Sequence, residues 1–225
     1  MLLRVENLTK IYGTGRTAVK AVDNVSFNLS RGELILLMGP SGSGKTTLLT
    51  LVSGLLRPTS GTIYIDSISI SNLTQKELAK IRMNKIGFIF QHFNLLSSLT
   101  ALENVMVPFV IQGIKVSDAR RRAKALLVEF GLEDRLDHKP KDLSGGEQQR
   151  VAVARAMVTN PDIIIADEPT ANLDSKKGKD VMELIYKKVK EGRGALIASH
   201  DPRILDFADG ILYMEDGKLR EDNRT

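Results

Sequence analysis

Gly39-Pro40-Ser41-Gly42-Ser43-Gly44-Lys45-Thr46 satisfies every fixed position of G-x-x-x-x-G-K-[ST], and Thr47 extends it into a helix-compatible stretch, Lys45 to Ser53. An apolar run, Leu34 to Met38, precedes it, so the setting is strand, loop, helix. Glycines let a backbone wind tightly enough for successive N–H groups to point at one phosphate. A helix starting near Lys45 adds the positive end of its dipole. On this reading Lys45 reaches the β- and γ-phosphates, and the Thr46 hydroxyl ligates Mg²⁺. A glycine-rich turn with a chance Gly-Lys-Thr is the bland alternative, and the flanking strand and helix weigh against it. The loop is expected to bind a nucleoside triphosphate.

Ile163-Ile164-Ile165-Ala166-Asp167-Glu168 reads as an apolar strand ending in two adjacent carboxylates. In an open α/β sheet, ligands gather at the carboxyl ends of strands, where the phosphate loop also ends. Asp167 there is suited to hold Mg²⁺, directly or through water. Strand neighbours alternate faces, so Glu168 is expected to point differently, free to polarise a water for in-line attack on a γ-phosphate. Without the loop, the same residues would read as solvated acids. Leu143-Ser144-Gly145-Gly146-Glu147-Gln148-Gln149-Arg150 leads into a helical run, Val151 to Val158. Ser144 suits an N-cap, and the two glycines leave the first N–H groups open to an anion. One chain thus carries two helix starts fit for phosphate and one evident nucleotide loop. Either two ligands bind, or the second site serves the nucleotide of another copy.

The hydrophobic pattern supplies the elements that must hold these groups. Leu3-Arg4-Val5 and Val22 to Leu29, with Val25, Phe27 and Leu29 alternating against polar residues, read as strands of a half-exposed sheet. Tyr12 lies between them in a polar loop, Lys10 to Lys20, where its ring would stack on a nucleobase or pack on its own loop. A breaker cluster, Arg57 to Gly61, precedes a short strand, Thr62 to Ile65. Thr74 with Glu77 forms a capping box for a helix to Asn84, and Ile86 to Phe90 is a buried strand ending at Gln91. From Ala101 to about Asn160 the pattern is helical. Ser117 and Asp118 offer N-caps, and Ala119, Ala123, Leu126, Leu127 and Phe130 share one face. Arg120, Arg121 and Arg122 take the other face, read as solvated rather than lipid-facing. Pro140 closes a loop. The remainder alternates strand and helix through Lys176–Glu191, Ala195–Ser199, Ile204–Ala208 and Ile211–Glu215, with Asp216-Gly217 turning a hairpin into Lys218–Arg220. That alternation predicts an α/β fold with a parallel central sheet, interrupted by a helical insertion between Gln91 and Asn160.

The 225 residues suffice for one full-sized α/β domain, and 42% apolar with 26% charged residues is the balance of an ordinary globule. Cysteine is absent, which excludes disulfides, cysteine-ligated zinc and thiol catalysis. A net charge of +5 would suit nucleic acid or an anionic membrane face, but basic and acidic residues are interleaved. No aromatic residue punctuates the arginine run as a stacking platform would require. The N-terminus becomes charged too early for a secretory segment. The longest uncharged stretch, Ile86 to Leu102, is broken by polar residues and cannot span a bilayer. The expectation is a cytosolic protein whose membrane role, if any, comes through a partner.

Taken together, these segments resemble an ATP-binding cassette (ABC) ATPase from Leu3 to about Leu219. Gly39–Thr46 is similar to the family's Walker A motif, Ile163–Glu168 to Walker B with its glutamate, and Leu143–Glu147 to the signature that sets this family apart. Gln91 stands where the Q-loop glutamine belongs, Asn172-Leu173-Asp174 at the D-loop, His200 at the switch histidine and Tyr12 at the adenine-stacking aromatic. The resemblance implies one nucleotide-binding domain over 1–225, with a RecA-like phosphate-loop core and antiparallel β-subdomain over about 1–91 and 160–225. A helical subdomain would occupy about 92–159. It further implies that two cassettes pair head to tail, with Ser144, Gly145, Gly146 and Glu147 of one copy meeting ATP held by the other. Glu168 would be the general base, Gln91 and His200 would read the γ-phosphate, and Thr46, Gln91 and Asp167 would serve Mg²⁺. His92 and His138 match no motif and are expected at the surface.

Within the family, Phe88 to Leu96 with Leu99 to Val105 resembles the lipoprotein-releasing, macrolide-export and cell-division group. This implies ATP hydrolysis driving a separately encoded permease from the cytoplasmic membrane face, for export, lipoprotein release or mechanical transmission. A soluble relative acting on nucleic acid or ribosomes would carry coiled coils or two cassettes, and neither pattern is present. A small GTPase or kinase has no use for LSGGE, and Asn84-Lys85-Ile86-Gly87 lacks the aspartate of a guanine-reading motif.

Overall fold

The apolar run before the phosphate loop becomes β3 (Leu34–Met38), a central strand covered on both faces. In the computed structural model, which describes residues 1–171 and 173–220, it belongs to a six-stranded sheet. The order is β10 (Lys218–Arg220), β9 (Gly210–Glu215), β3, β8 (Gly194–Ala198), β7 (Ile163–Asp167) and β6 (Ile86–Ile89). The pairings β9–β3, β3–β8, β8–β7 and β7–β6 are parallel. Only β10 runs against its neighbour, because Asp216 and Gly217 both take positive φ, +47° and +79°, and turn the chain in two residues.

A second, antiparallel sheet is built from β1 (Leu3–Tyr12), β2 (Val19–Leu29), β4 (Ser60–Ile65) and β5 (Ile68–Ser69), in the order β2-β1-β4-β5. Its buried residues, among them Leu3, Val5 and Phe27, share a core with Ile35 and Leu37 of β3 and with α1 (Lys45–Val52). Leu34 and Leu36 point the other way. They meet α3 (Ala101–Ile111), α4 (Val116–Glu129), α5 (Gly145–Met157) and α6 (Ser175–Lys190) in a second core. The alternation along one strand therefore assigns its residues to two hydrophobic layers. The expected capping box of Thr74 with Glu77 opens α2 (Gln75–Lys85), and Thr100 with Glu103 and Ser144 with Glu147 open α3 and α5 in the same way.

Three local expectations are corrected. Tyr12 is not in a loop, since β1 continues to it and pairs it with Val19. Ser117 and Asp118 do not cap α4. The chain turns at Gly113, φ +74°, and the helix begins at Val116 after an uncapped Lys115, which leaves Asp118 in the first turn, paired with Arg121 at 3.2 Å. The segment after His200 is a 3-10 turn, Pro202–Phe207, capped by the Asp201 carboxylate, rather than an α-helix. The strand β5 is too short to leave a periodic trace.

At the amino ends of the strands, away from the phosphate loop, four charged side chains join the layers. Arg31 pairs with Asp162 at 2.9 Å and Asp66 at 3.0 Å; Lys85 pairs with Asp162 at 2.7 Å and Asp66 at 3.0 Å. Burial works against the Asp162 charge, but hydrogen bonds from Lys85 and Arg31 outweigh it and hold the carboxyl below its ordinary pKa. Asp162→Asn is expected to lower stability by about 1 kcal/mol at pH 7. The depressed folded pKa means the wild-type advantage exists above the unfolded value of about 3.9 and fades as pH falls through the folded one. Urea midpoints of both proteins should differ at pH 7 and converge near the acid limit of folding; an equal gap at both would overturn the assignment.

Candidate functional site

The carboxyl ends of β3 and β7 open onto a cavity of about 560 Å³, bounded by Lys45, Thr46, Gln91, Asp167, Glu168 and His200. The loop residues Pro40, Ser41, Gly42, Gly44 and Thr47 complete its floor, together with Ala21 from β2. Gly39 and Ser43 are buried behind this surface. Only glycine fits at two turns of the loop. At Gly39, φ +145°, an added Cβ would lie 2.0 Å from the Met214 carbonyl oxygen, and at Gly44, φ +106°, 2.1 Å from that of Ala21. The β9–β10 hairpin braces the loop a second time, where the Gly217 N–H donates to the Ser43 carbonyl at 2.9 Å.

The Lys45 ammonium donates to the carbonyls of Gly39 and Pro40, both at 2.8 Å, and is only 8% exposed. A charge so held at the mouth of a ring of N–H groups suits a polyanion. The buried Ser43 hydroxyl has no hydrogen-bond partner among the described residues. Thr46 and Asp167, far apart in the chain, meet where the Thr46 hydroxyl donates to Asp167 Oδ2 at 2.8 Å. Burial raises the Asp167 pKa; the Thr46 bond and the Lys45 charge oppose this, and the Glu168 carboxylate adds to it.

Glu168 departs from the alternation expected of it. It stands beyond the end of β7 with φ +49°, a left-handed conformation costing a non-glycine residue about 1–2 kcal/mol. Its N–H donates to the Ala198 carbonyl at 2.9 Å, and its Oε1 lies 2.7 Å from His200 Nδ1. Turned out of the strand, the carboxylate faces the same cavity as Lys45. The His200 ring is 70% exposed, so it can contact whatever enters. Gln91 is exposed just beyond β6.

The other predicted residues lie elsewhere. Tyr12 does not line the cavity; it ends β1 half-exposed, with Lys10 Nζ 5.2 Å from its ring centre. Ser144 caps α5 by accepting from Glu147 N–H, while the Glu147 carboxylate accepts from Ser144 N–H at 2.8 Å. That backbone bond, helped by Arg135 at 2.8 Å, draws the Glu147 pKa down to about 2. Gly145 is exposed, whereas Gly146 lies under the Lys177 side chain, whose Cδ would be 2.8 Å from a Cβ. Ser144 and Gly146 border a separate depression of about 240 Å³ with Arg150, Lys176 and Lys177. Leu173 is buried, and Asp174 caps α6 by accepting from Lys177 N–H at 2.9 Å; Asn172 lies outside the described residues. His92 is exposed and His138 half-buried, and neither borders the cavity. Two neighbours escaped the sequence reading. Ala21 carries no chemical signal, and Ser199 is marked only by preceding His200.

A parallel sheet with a phosphate loop on its central strand and a carboxylate at the end of a nearby one defines a nucleotide-binding phosphate-loop protein. The pattern of the ABC transporter family matches residues 22–171. An uncharacterized ABC transporter ATP-binding protein of Methanocaldococcus jannaschii, MJ0796, is 44% identical over 99% of this chain and 97% of its own length. Its structure, described as the dimeric post-hydrolysis state bound to ADP and Pi, superposes with a TM-score of 0.91 over 98% of this chain and 97% of that one, at 44% identity. The macrolide export ATP-binding/permease protein MacB of Hyphomonas neptunium is 42% identical over 99% of this chain, which spans 34% of that protein's length. The chain belongs to the ABC transporter family, as an ATP-binding subunit that hydrolyses ATP.

Proposed function

We propose that two copies of this chain close head to tail on two ATP molecules and so drive a membrane-embedded partner. One observation carries the reading: the two helix starts suited to phosphate, at Lys45 and at Ser144, border different cavities of the same chain. A second copy turned to face the first supplies Ser144, Gly145, Gly146 and Glu147 as the lid over a triphosphate cradled by Gly39–Thr47. The dimeric MJ0796 relative supports this arrangement. Asp174, exposed at the start of α6, with Leu173 beside it, then lies along the shared face. Tyr12, outside the cavity that holds Lys45, is left to take the adenine ring at its rim.

The donor set at Thr46 and Asp167 is oxygen-only, which fits Mg²⁺. No group of three or more histidine, cysteine or acidic residues suited to a metal occurs among the described residues. Thr46 and Asp167 would hold it, with Gln91 nearby. When bound it neutralises charge on the phosphate oxygens. Glu168 takes the proton of the attacking water, His200 steadies the γ-phosphate, and Lys45 offsets its negative charge. Loss of that phosphate removes the contacts joining the copies, so the dimer opens.

The helical subdomain, about 92–159, carries the lid; about 1–91 and 160–225 carry the cradle. Between them lies a groove of about 540 Å³ lined by Met83, Phe88, Phe90, Pro108 and Ile111, with Arg82 and Arg155 at its edges. Its residue Phe90 directly precedes Gln91, so a permease segment seated there would sense the γ-phosphate through that residue. No helix among the described residues is long and apolar enough to cross a membrane. The name of the macrolide export relative joins an ATP-binding part to a permease, which supports a site of action at the cytoplasmic membrane face. The work is export, lipoprotein release or mechanical transmission.

Ser144→Arg tests the shared site. In a hydrolysis-deficient background it should keep ATP affinity within about threefold, yet abolish the ATP-induced dimer seen by analytical ultracentrifugation. A dimer of undiminished stability, or an equal loss of ATP binding, would overturn the proposal.

A further inference from the structure

We propose that Ser199 is a positioning residue for hydrolysis, holding the Glu168 carboxylate in the orientation its chemistry needs. The inference rests on the reading of Glu168 as the general base. Ser199 follows the last residue of β8 and is fully buried. Its backbone N–H donates to the Leu37 carbonyl at 3.1 Å, which ties it to the strand that leads into the phosphate loop. Its hydroxyl has two partners of opposite kind. Oγ accepts from Asp201 N–H at 3.1 Å, and it donates to Glu168 Oε2 at 3.3 Å.

The direction of that second bond follows from the first. A serine hydroxyl has one proton and two lone pairs. With Asp201 N–H occupying a lone pair, the proton is free for the carboxylate, and burial keeps water from competing for it. Glu168 Oε2 is thereby tethered, and Oε1 is left against His200 at 2.7 Å, on the cavity side. The tether matters more here than at an ordinary strand residue. Glu168 sits in a left-handed conformation, and its side chain leaves the backbone where no strand pleat directs it. Its N–H and carboxylate are held by the Ala198 carbonyl on the N–H, Ser199 on one oxygen and His200 on the other. His200 is mostly exposed and must respond to the nucleotide, so Ser199 is the fixed member of the pair.

The same segment extends outward from Asp201. Its carboxylate accepts from Arg203 and from the Thr170 hydroxyl, at 2.8 Å and 3.3 Å, and Arg203 reaches the Ser175 hydroxyl at the start of α6 at 2.6 Å. Ser199 thus draws its own rigidity from a bonded run that joins the ends of β7 and β8.

Removal of the hydroxyl in Ser199→Ala should lower kcat for ATP about tenfold while KM and nucleotide affinity stay within twofold. In a Glu168→Gln background the same substitution should change residual single-turnover hydrolysis less than twofold, because the group being positioned is no longer a base. Wild-type kcat in Ser199→Ala, beside an inactive Glu168→Gln, would overturn the role of Ser199 alone. A tenfold further loss in the double variant would also overturn it, since Ser199 would then act independently of Glu168. Near-normal hydrolysis by Glu168→Gln itself would instead remove the general-base reading, and this inference with it.

Discussion

Glu168→Gln is expected to bind ATP normally, to hydrolyse it about 10²–10⁴-fold more slowly, and to pass from monomer to dimer when ATP is added. The substitution keeps the size of the side chain and can preserve both of its contacts, to Ser199 and to His200. What it removes is the ability to take a proton from water. ATP then persists and, in the proposed arrangement, every bound triphosphate goes on joining one copy's loop to the other's α5. A ligand that binds the closed state more tightly than the open one shifts the population toward it. The rate is read from phosphate release, the assembly from sedimentation with and without ATP. A hydrolysis rate near wild type would remove Glu168 as the base. A slow enzyme that stays monomeric would remove the paired arrangement instead.

Lys45→Ala should weaken ATP binding by about 30–150-fold, the equivalent of a charged hydrogen bond worth about 2–3 kcal/mol. Two features make this group hard to replace. It is nearly buried, so its field is poorly screened, and it is already held at the loop by Gly39 and Pro40. An incoming phosphate oxygen therefore meets a charge with little conformational freedom left to lose. Calorimetric titration measures the affinity directly, and a thermal melt without nucleotide shows whether the loop still folds. An unchanged affinity would exclude Lys45 from phosphate recognition.

Much of the fold could be read because the central strands are covered on both sides. Leu34–Met38 and Ile163–Asp167 stand out as unbroken apolar runs for that reason. The capping box at Thr74 is legible because it is a bond between residues three apart. The meeting of Thr46 and Asp167 was foreseeable, since Asp167 ends one strand of the parallel sheet and the loop that leads to Thr46 leaves the carboxyl end of another. What escaped depends on tertiary neighbours. Tyr12 is in a strand because Val19 pairs with it across a turn, not through any pattern of its own. Glu168 takes positive φ because the end of β8 supplies a carbonyl for its N–H. Ser199 and Ala21 belong to the site through position alone. The same is true of the second phosphate-adapted helix start: the residues name its chemistry, while only the fold separates it from Lys45.

The β9–β10 hairpin presses the Met214 carbonyl against Gly39 and bonds Gly217 to Ser43, so residues near position 215 complete a loop near position 40. During synthesis, then, the Walker A segment leaves the ribosome long before its buttress does. A nascent chain can form its amino-terminal sheet early, yet its grip on nucleotide matures only after the hairpin has emerged and docked. Competence to bind fuel is in this way tied to a segment made long after the loop itself.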